Sequence, residues 1–371
     1  MRNTFIEINL NNLKNNLQQI AKHINGSKIM PIIKANAYGH GMLGLAKNLV
    51  HPSIEMLGVA YPSEGFELRN AGETRKILII IPPEVDEISE IIENNLDITI
   101  GHIEHIDEIN YVAKRRHSRI KAHIYINTGM NRDGITPEEF KTFIQNLNRY
   151  DSIDFEGICT HLAASDFDDK TFANQQINTF KELINFAKEN GVTFKYIHSA
   201  NSGAIATLPN SHFNIVRPGI ALHGLMPRED YASLLDLKPT LSLKTHIKKV
   251  HSIKKNDTVG YSFKYIAKNS TKVAVIPIGY GDGISCNLTN KAQCLIRGKR
   301  YNLIGSICMD QMFIDIKNDE IHQGEQVVLI GKQGADEISV YEIAKEANTI
   351  PYEITTSILK RVPRIFVENN V

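Results

Sequence analysis

The sequence predicts an α/β protein: a (β/α)8 TIM-like barrel followed by a mostly β C-terminal domain. Three observations carry this. Short apolar runs recur eight times, at 30–34, 57–60, 77–81, 97–100, 121–126, 154–159, 195–199 and 214–217. Stretches of helical period lie between most of them, at 42–50, 63–71, 84–95, 104–116, 137–149 and 171–190. From about residue 235 this rhythm gives way to strand-like runs separated by Gly, Asn and Asp turns. Strand and helix in alternation argue for a parallel sheet, and eight strands argue for its closure. A doubly wound open sheet is the runner-up, but no G-x-G-x-x-G follows any strand, so a dinucleotide site has no support.

Taken in order, Thr4 to Leu10 alternates apolar and polar positions as a half-buried strand does. Residues 1–10 are expected to supply an N-terminal strand that joins the β domain. Asn11 to Ile24 places Leu13, Leu17 and Ile20 on one helical face, and Asn25-Gly26 stops it. The barrel is expected over 11–234, with helix starts such as Thr136-Pro137-Glu138-Glu139, where proline occupies the first turn. The β domain is expected over 235–371. Its strand candidates are Leu241 to His251, Val273 to Ile278, Gln293 to Ile296, Gln311 to Ile316 and Gln326 to Ile330, with one late helix near Val340 to Asn348.

Composition narrows the function classes. The 371 residues are 42% apolar and 22% charged, which is ordinary for a globular protein and ample for two domains. A net charge of +1 offers no field for nucleic acid or acidic lipid. The longest aliphatic run, Ile77 to Ile81, is too short to span a bilayer, and Met1 to Leu10 has no apolar signal core. The four cysteines, at 159, 286, 294 and 308, have neither metal-ligand spacing nor disulfide-scaffold density. A cytoplasmic protein with no metal, nucleic-acid or membrane partner is expected.

The chemistry centres on residues 32 to 41, Ile-Ile-Lys-Ala-Asn-Ala-Tyr-Gly-His-Gly. Lys34 stands at the carboxyl end of an apolar run. A desolvated lysine has a lowered pKa, and its neutral amine forms Schiff bases or acts as a base. A solvated lysine opening a loop is the plainer alternative. In a barrel the site collects at the carboxyl ends of the strands. Arg132, His161, His198, Ser202 and Arg217 also fall at such ends. Each alone has an ordinary explanation, a core histidine or a helix cap, but together they recur at one end of successive strands. Asp166-Phe167-Asp168-Asp169 reads as a cap before the helix from Thr171 rather than a metal site.

IIKANAYGHG resembles the pyridoxal-phosphate attachment segment of the alanine racemases. Glu156-Gly157-Ile158-Cys159-Thr160-His161 resembles that family's strand with an active-site histidine. His198-Ser199-Ala200-Asn201-Ser202 and Val216-Arg217-Pro218-Gly219-Ile220 resemble its next two site segments. Val259-Gly260-Tyr261-Ser262, the run Ile276 to Gly283 and Cys308-Met309-Asp310 resemble three segments of its second domain. The resemblance spans Glu7 to Arg364. It implies interconversion of L- and D-alanine for cell-wall peptidoglycan, with pyridoxal 5'-phosphate on Lys34. The phosphate would be held by Tyr38, Ser202 and the amides of Gly219 and Ile220, and Arg217 would face the pyridine nitrogen. Lys34 and Tyr261 would be the two bases, with His161 tuning Tyr261. Arg132, Met309 and Tyr280 would meet the substrate. In such racemases Tyr261 and Met309 reach the site from the partner subunit of a homodimer.

Two positions depart from the family. Tyr125 stands where most members have a carbamylated lysine, an anion that orients Arg132. An unpaired, partly buried guanidinium is costly, so a chloride or other small anion, or a direct Tyr125 hydroxyl contact, is expected there. In Ser357-Ile358-Leu359-Lys360-Arg361-Val362-Pro363-Arg364, Lys360 aligns with the family's phosphate-touching tyrosine, and it is expected either to serve phosphate as a point charge or to point to solvent. A racemase of broader specificity, acting on serine or another amino acid, is therefore an alternative. A fold-type III amino-acid decarboxylase is a further rival, but such enzymes place a carboxylate where Arg217 stands. A non-catalytic cofactor-binding barrel would lack the second domain.

Overall fold

A computed structural model describes residues 3–368. Residues 1 and 2 of the expected first strand, and 369–371 at the end of the expected β domain, lie outside the described residues. The chain begins with β1 (Phe5–Asn9) and α1 (Leu10–His23), then β2 (Lys28–Ile29), α2 (Lys34–Tyr38) and α3 (Met42–Asn48). There follow β3 (Leu57–Val59), α4 (Pro62–Asn70), β4 (Ile77–Ile79), α5 (Ile88–Glu93), β5 (Asp97–Ile100), α6 (Ile106–Arg115), β6 (Ile120–Tyr125) and α7 (Pro137–Gln145). The alternation ends with β7 (Ile153–Cys159), α8 (Thr171–Glu189), β8 (Tyr196–His198), α9 (Ser202–Thr207) and β9 (Ile215–Val216).

β3 to β8 form one parallel sheet in sequence order, and β2 pairs in parallel with β9. Single bridges from Ile29 to Ile54 and from Ile32 to Gly58 tie β2 to β3. On the other side the Arg217 amide donates to the Ala200 carbonyl, so the eight parallel segments form a TIM-like barrel. The run at 30–34 departs from expectation: its ladder stops at Ile29, since Pro31 brings no amide hydrogen. The expected cap of α7 is present, with the Thr136 hydroxyl accepting from Glu139 N and the Glu139 carboxylate accepting from Thr136 N. Asp169 caps the start of α8 by accepting from Thr171 N.

The second region adds β10 (Leu241–His246), β11 (Lys249–Ile253), β12 (Thr271–Ile276), β13 (Gln293–Ile296), β14 (Lys299–Ile304), β15 (Met312–Lys317), β16 (Gln326–Gln333) and β17 (Asp336–Ile338). It closes with α10 (Val340–Ala347), α11 (Pro351–Ser357) and β18 (Arg364–Val367). The main path of its sheet runs β11-β12-β15-β14-β13-β16-β10-β1-β18. β1 pairs antiparallel with β10 and parallel with β18, so the first strand of the chain is built into the C-terminal sheet. The run 241–251 is not one strand. It divides between β10 and β11, which lie far apart in the sheet. β14, β17, α9, α11 and β18 had no counterpart among the sequence expectations. The barrel and the β region each have a core of their own. Among the described residues no helix is long and apolar enough to cross a membrane.

Candidate active site

The carboxyl ends of the barrel strands open into a cavity of about 720 Å³ lined by Lys34, Tyr38, Tyr125, Arg132, His161, His198, Ser202, Arg217 and Gly219, together with Tyr61, Ile350 and Tyr352. That volume suits a cofactor with a small substrate. Most of the side chains singled out in the barrel sequence thus converge on one space.

Lys34 begins α2, which is a single left-handed turn: Ala35, Asn36 and Ala37 have φ of 52°, 54° and 53° with ψ of 53°, 44° and 54°. Tyr38 follows with φ 53°. Left-handed helix costs L-residues roughly 1–2 kcal/mol each, so the surroundings must hold this turn in place. They do so from several sides. The Ala35 amide donates to Glu64 Oε1 at 2.6 Å, and the Met42 amide to Asn36 Oδ1 at 2.9 Å. His40 Nδ1 lies 3.1 Å from the Ala37 carbonyl and 2.9 Å from that of Tyr38. Gly39, at φ +84°, lies so close to α11 that a Cβ there would fall 1.9 Å from the Thr355 carbonyl. Burial holds the Lys34 amine below its ordinary pKa, Arg132 and Arg217 lower it further, and Glu64 opposes them.

Beside the turn lies a ready-made anion cradle. Ser202 Oγ accepts from the amides of Gly219 (3.1 Å) and Ala221 (3.2 Å). The helix cap itself is made by Asn201, whose side chain accepts from Ala204 N, leaving the serine for the cavity. A Cβ at Gly219 would lie 2.2 Å from Tyr38 Oη, so only glycine lets the tyrosine hydroxyl reach this backbone. Ile220 is fully buried behind the cradle.

Arg217 is buried and fully engaged. Nη1 donates to His198 Nδ1 at 2.6 Å and to the His198 carbonyl at 2.9 Å, while Nη2 donates to the carbonyls of Thr160 (2.7 Å) and Ser199 (2.9 Å). His161 Nδ1 lies 3.4 Å from Nη2. Because the guanidinium only donates, it fixes His198 Nδ1 as an acceptor. His198 Nε2 then donates to His123 Nδ1 at 2.8 Å. Burial first, and Arg217 after it, push His161 down to about 3, so its ring is neutral near pH 7. His123 was not singled out by the sequence, where its position inside β6 reads as core.

Arg132 lines the cavity with its Nε 3.3 Å from Asp133 Oδ2. A carboxylate neighbour therefore exists, contrary to the expectation of an arginine without an anion. Tyr125 Oη is buried beside Arg132, whose charge and hydrogen bond both act on it. Burial raises its pKa, with Arg132 and Arg217 opposing.

Near the carboxyl end the structure corrects the sequence reading. Lys360 is exposed and does not line the cavity. Tyr352, at the start of α11, does line it, with its ring centroid 6.1 Å from that of Tyr38. Burial pushes the Tyr352 phenol upward. The only local signal was an aromatic beside Pro351 at a helix start.

Tyr261, Tyr280 and Met309 stand outside this cavity, 72%, 44% and 51% exposed. They share one surface of the β region. The Ser306 hydroxyl donates to the Tyr261 carbonyl, Tyr280 N donates to the Cys308 carbonyl, and Gly281 N donates to that of Met309. Phe263 and Ile266 extend the patch at 74% and 53% exposed. Ser262 and Phe263 have positive φ, so this loop is strained as well.

Comparison with known proteins agrees with this arrangement. The alanine racemase N-terminal domain model matches residues 8–227, and the C-terminal domain model matches 240–366. Alanine racemase 2 of Caldanaerobacter subterraneus subsp. tengcongensis is 36% identical over 370 residues, covering 99% of this chain and 95% of its own. Alanine racemase of Methanococcus maripaludis is 36% identical, covering 97% and 98%. The solved Clostridium difficile 630 alanine racemase superposes with a TM-score of 0.94 at 35% identity, over 100% of this chain and 97% of that one. The Bacillus anthracis enzyme, solved with bound L-Ala-P, gives 0.94 at 36% identity over 100% and 96%. With both domain models matched in order and relatives aligned end to end, the chain belongs to the alanine racemase family.

Proposed function

We propose that this chain interconverts L- and D-alanine in the cytoplasm, with pyridoxal 5'-phosphate carried on Lys34, and supplies D-alanine for peptidoglycan. The observation that carries the reading is Lys34 itself: a lysine on a strained, braced turn, facing a cavity and held below its ordinary pKa by burial and two guanidiniums. The residues fit the cofactor. A cradle closed by Tyr38, Ser202 and Gly219 suits a phosphate, because glycine allows the close approach and backbone amides bind anions. Tyr352 stands beside Tyr38 and takes the role expected of Lys360. Bound through Lys34, the cofactor supplies an electron-withdrawing ring that makes the Cα proton of an amino acid acidic.

The protein's own groups divide the remaining work. The freed Lys34 amine, held below its ordinary pKa by burial and by Arg132 and Arg217, moves the proton on one face of Cα and serves the D-enantiomer. Tyr261 of the partner subunit moves it on the other face and serves the L-enantiomer. Neutral His161 hydrogen-bonds and tunes that tyrosine. Arg217 has no lone pair to accept a proton, so a pyridine nitrogen facing it stays neutral, which favours proton return over transamination. Arg132 binds the substrate carboxylate, assisted by Met309 and Tyr280 of the partner subunit. The exposed patch of Tyr261, Phe263, Ile266, Tyr280 and Met309 supports a homodimer, since apolar surface of this kind is normally covered. A chloride beside Arg132 belongs to the same proposal, supported by the two guanidiniums, Arg132 and Arg217, that act on the buried Tyr125 hydroxyl in one cavity.

Lys34→Ala tests the assignment. It should abolish both turnover and the visible absorbance of lysine-linked cofactor, and retained turnover would overturn it.

A further inference from the structure

Glu64 does more than begin a helix. Its side chain caps the start of α4, where Oε2 accepts from Ala60 N at 2.7 Å and Tyr61 N at 3.4 Å. Its other oxygen, Oε1, reaches away from α4 to accept from Ala35 N at 2.6 Å. A single carboxylate thus joins the loop after β3 to the residue next to Lys34. That amide is the first donor of the left-handed run Ala35 to Tyr38, whose later residues are held separately by Asn36 and His40, while Arg364 holds the carbonyl of Gly39 that follows it. The entrance of the turn, where the Lys34 side chain departs, rests on Glu64.

Glutamate suits this task for a chemical reason. An ionised carboxylate accepts at both oxygens, and charge-assisted bonds to backbone N–H are the strong ones. Glutamine offers one acceptor and would turn an NH2 group against one of the two sets of amides. Alanine leaves both sets unanswered. Glu64 is also the anion set against Arg132 and Arg217 around the lysine.

We infer that Glu64 is the positioning residue of the lysine turn, its carboxylate clamping Ala35 to the β3–α4 loop so that Lys34 is presented to pyridoxal 5'-phosphate. The inference rests on the proposed function and adds to it a residue that touches neither cofactor nor substrate. The role separates from simple helix capping, since a cap alone would affect α4 and leave the lysine turn unchanged.

The test compares wild type, E64Q, E64A and S339A, the last removing the cap that Ser339 gives α10. Cofactor-free protein is titrated with pyridoxal 5'-phosphate by absorbance, and amide hydrogen exchange is followed over residues 33–39. E64A should bind about 10- to 100-fold more weakly, the effect of losing bonds to a charged group, with E64Q between it and wild type. Exchange over 33–39 should rise in both variants. The pH midpoint of the lysine-linked absorbance should move down in both, because the carboxylate that opposes Arg132 and Arg217 around the lysine is then lost. S339A should lower the melting temperature and move none of these. Wild-type affinity, exchange and midpoint in E64Q and E64A would overturn the inference while leaving the proposed function standing. Wild type that forms no lysine-linked absorbance would remove both.

Discussion

Arg217 donates to His198 Nδ1 at 2.6 Å, and this bond sets the proton arrangement of the barrel interior as far as His123. The same guanidinium feeds three backbone carbonyls, so its planar fork is matched by a fixed set of acceptors. Arg217→Lys keeps the charge and loses the fork, leaving buried acceptors unpaired. It should cost about 3 kcal/mol or more in stability, read by denaturation of the cofactor-free protein, and should weaken cofactor affinity. A variant of wild-type stability would show that the carbonyl cage is not needed.

Tyr352 and Lys360 make opposite predictions. Tyr352→Ala should weaken cofactor binding and lower kcat by about tenfold or more, since its ring closes the cavity beside Tyr38. Lys360→Ala should leave both unchanged because that side chain is exposed. A cofactor titration of the two variants decides between them, and a loss confined to Lys360→Ala would restore the alignment-based assignment.

Asp97 opens β5 with its carboxyl buried, and burial pushes it up to about 6 from 3.8 against the opposing pull of Lys76. Folding thus favours the protonated acid. Its stabilising contribution is fully present below pH 3.8 and is lost as pH rises through about 6. The difference is worth roughly 3 kcal/mol at 1.36 kcal/mol per unit. Asp97→Asn should be more stable than wild type at pH 8 by about 2 to 3 kcal/mol and nearly equal to it at pH 4. Melting curves at the two pH values check this. Destabilisation at pH 8 would mean that the pairing with Lys76 outweighs the burial.

Each site in the proposed dimer draws Lys34 from one chain and Tyr261 from the other. Lys34→Ala and Tyr261→Phe should each be nearly inactive alone. Unfolded together and refolded as a mixture, they should recover roughly a quarter of wild-type activity, because half the dimers are mixed and each holds one intact site. No recovery, with mixed dimers demonstrated, would place both residues in one subunit's site.

The barrel was legible because strands buried on both faces read as continuous apolar runs, as at Leu57 to Val59 and Ile77 to Ile79. β14 escaped notice because Lys299, Arg300 and Asn302 break up its apolar positions. Nor did the composition of α2 announce it: Ala35, Ala37 and Tyr38 ordinarily favour right-handed backbone, and only their anchors impose the left-handed turn. Short motifs located Lys34, His161, Ser202 and Arg217 on the cavity, and Arg132 was found from its place at the carboxyl end of a strand. Tyr352 reaches it through the docking of α11 against Gly39, a contact between distant parts of the chain that no local pattern encodes. Tyr261, Tyr280 and Met309 lie outside the cavity of a single chain, so the proposed function draws them from a partner.

The most direct measurement is a chirality assay of cofactor-loaded protein against L-alanine, L-serine and L-lysine. D-alanine should appear rapidly, with serine and lysine inverted far more slowly. Comparable inversion of all three would assign a broad-specificity racemase and contradict the alanine preference. No inversion of any, with the lysine-linked absorbance present, would contradict the racemase reading itself.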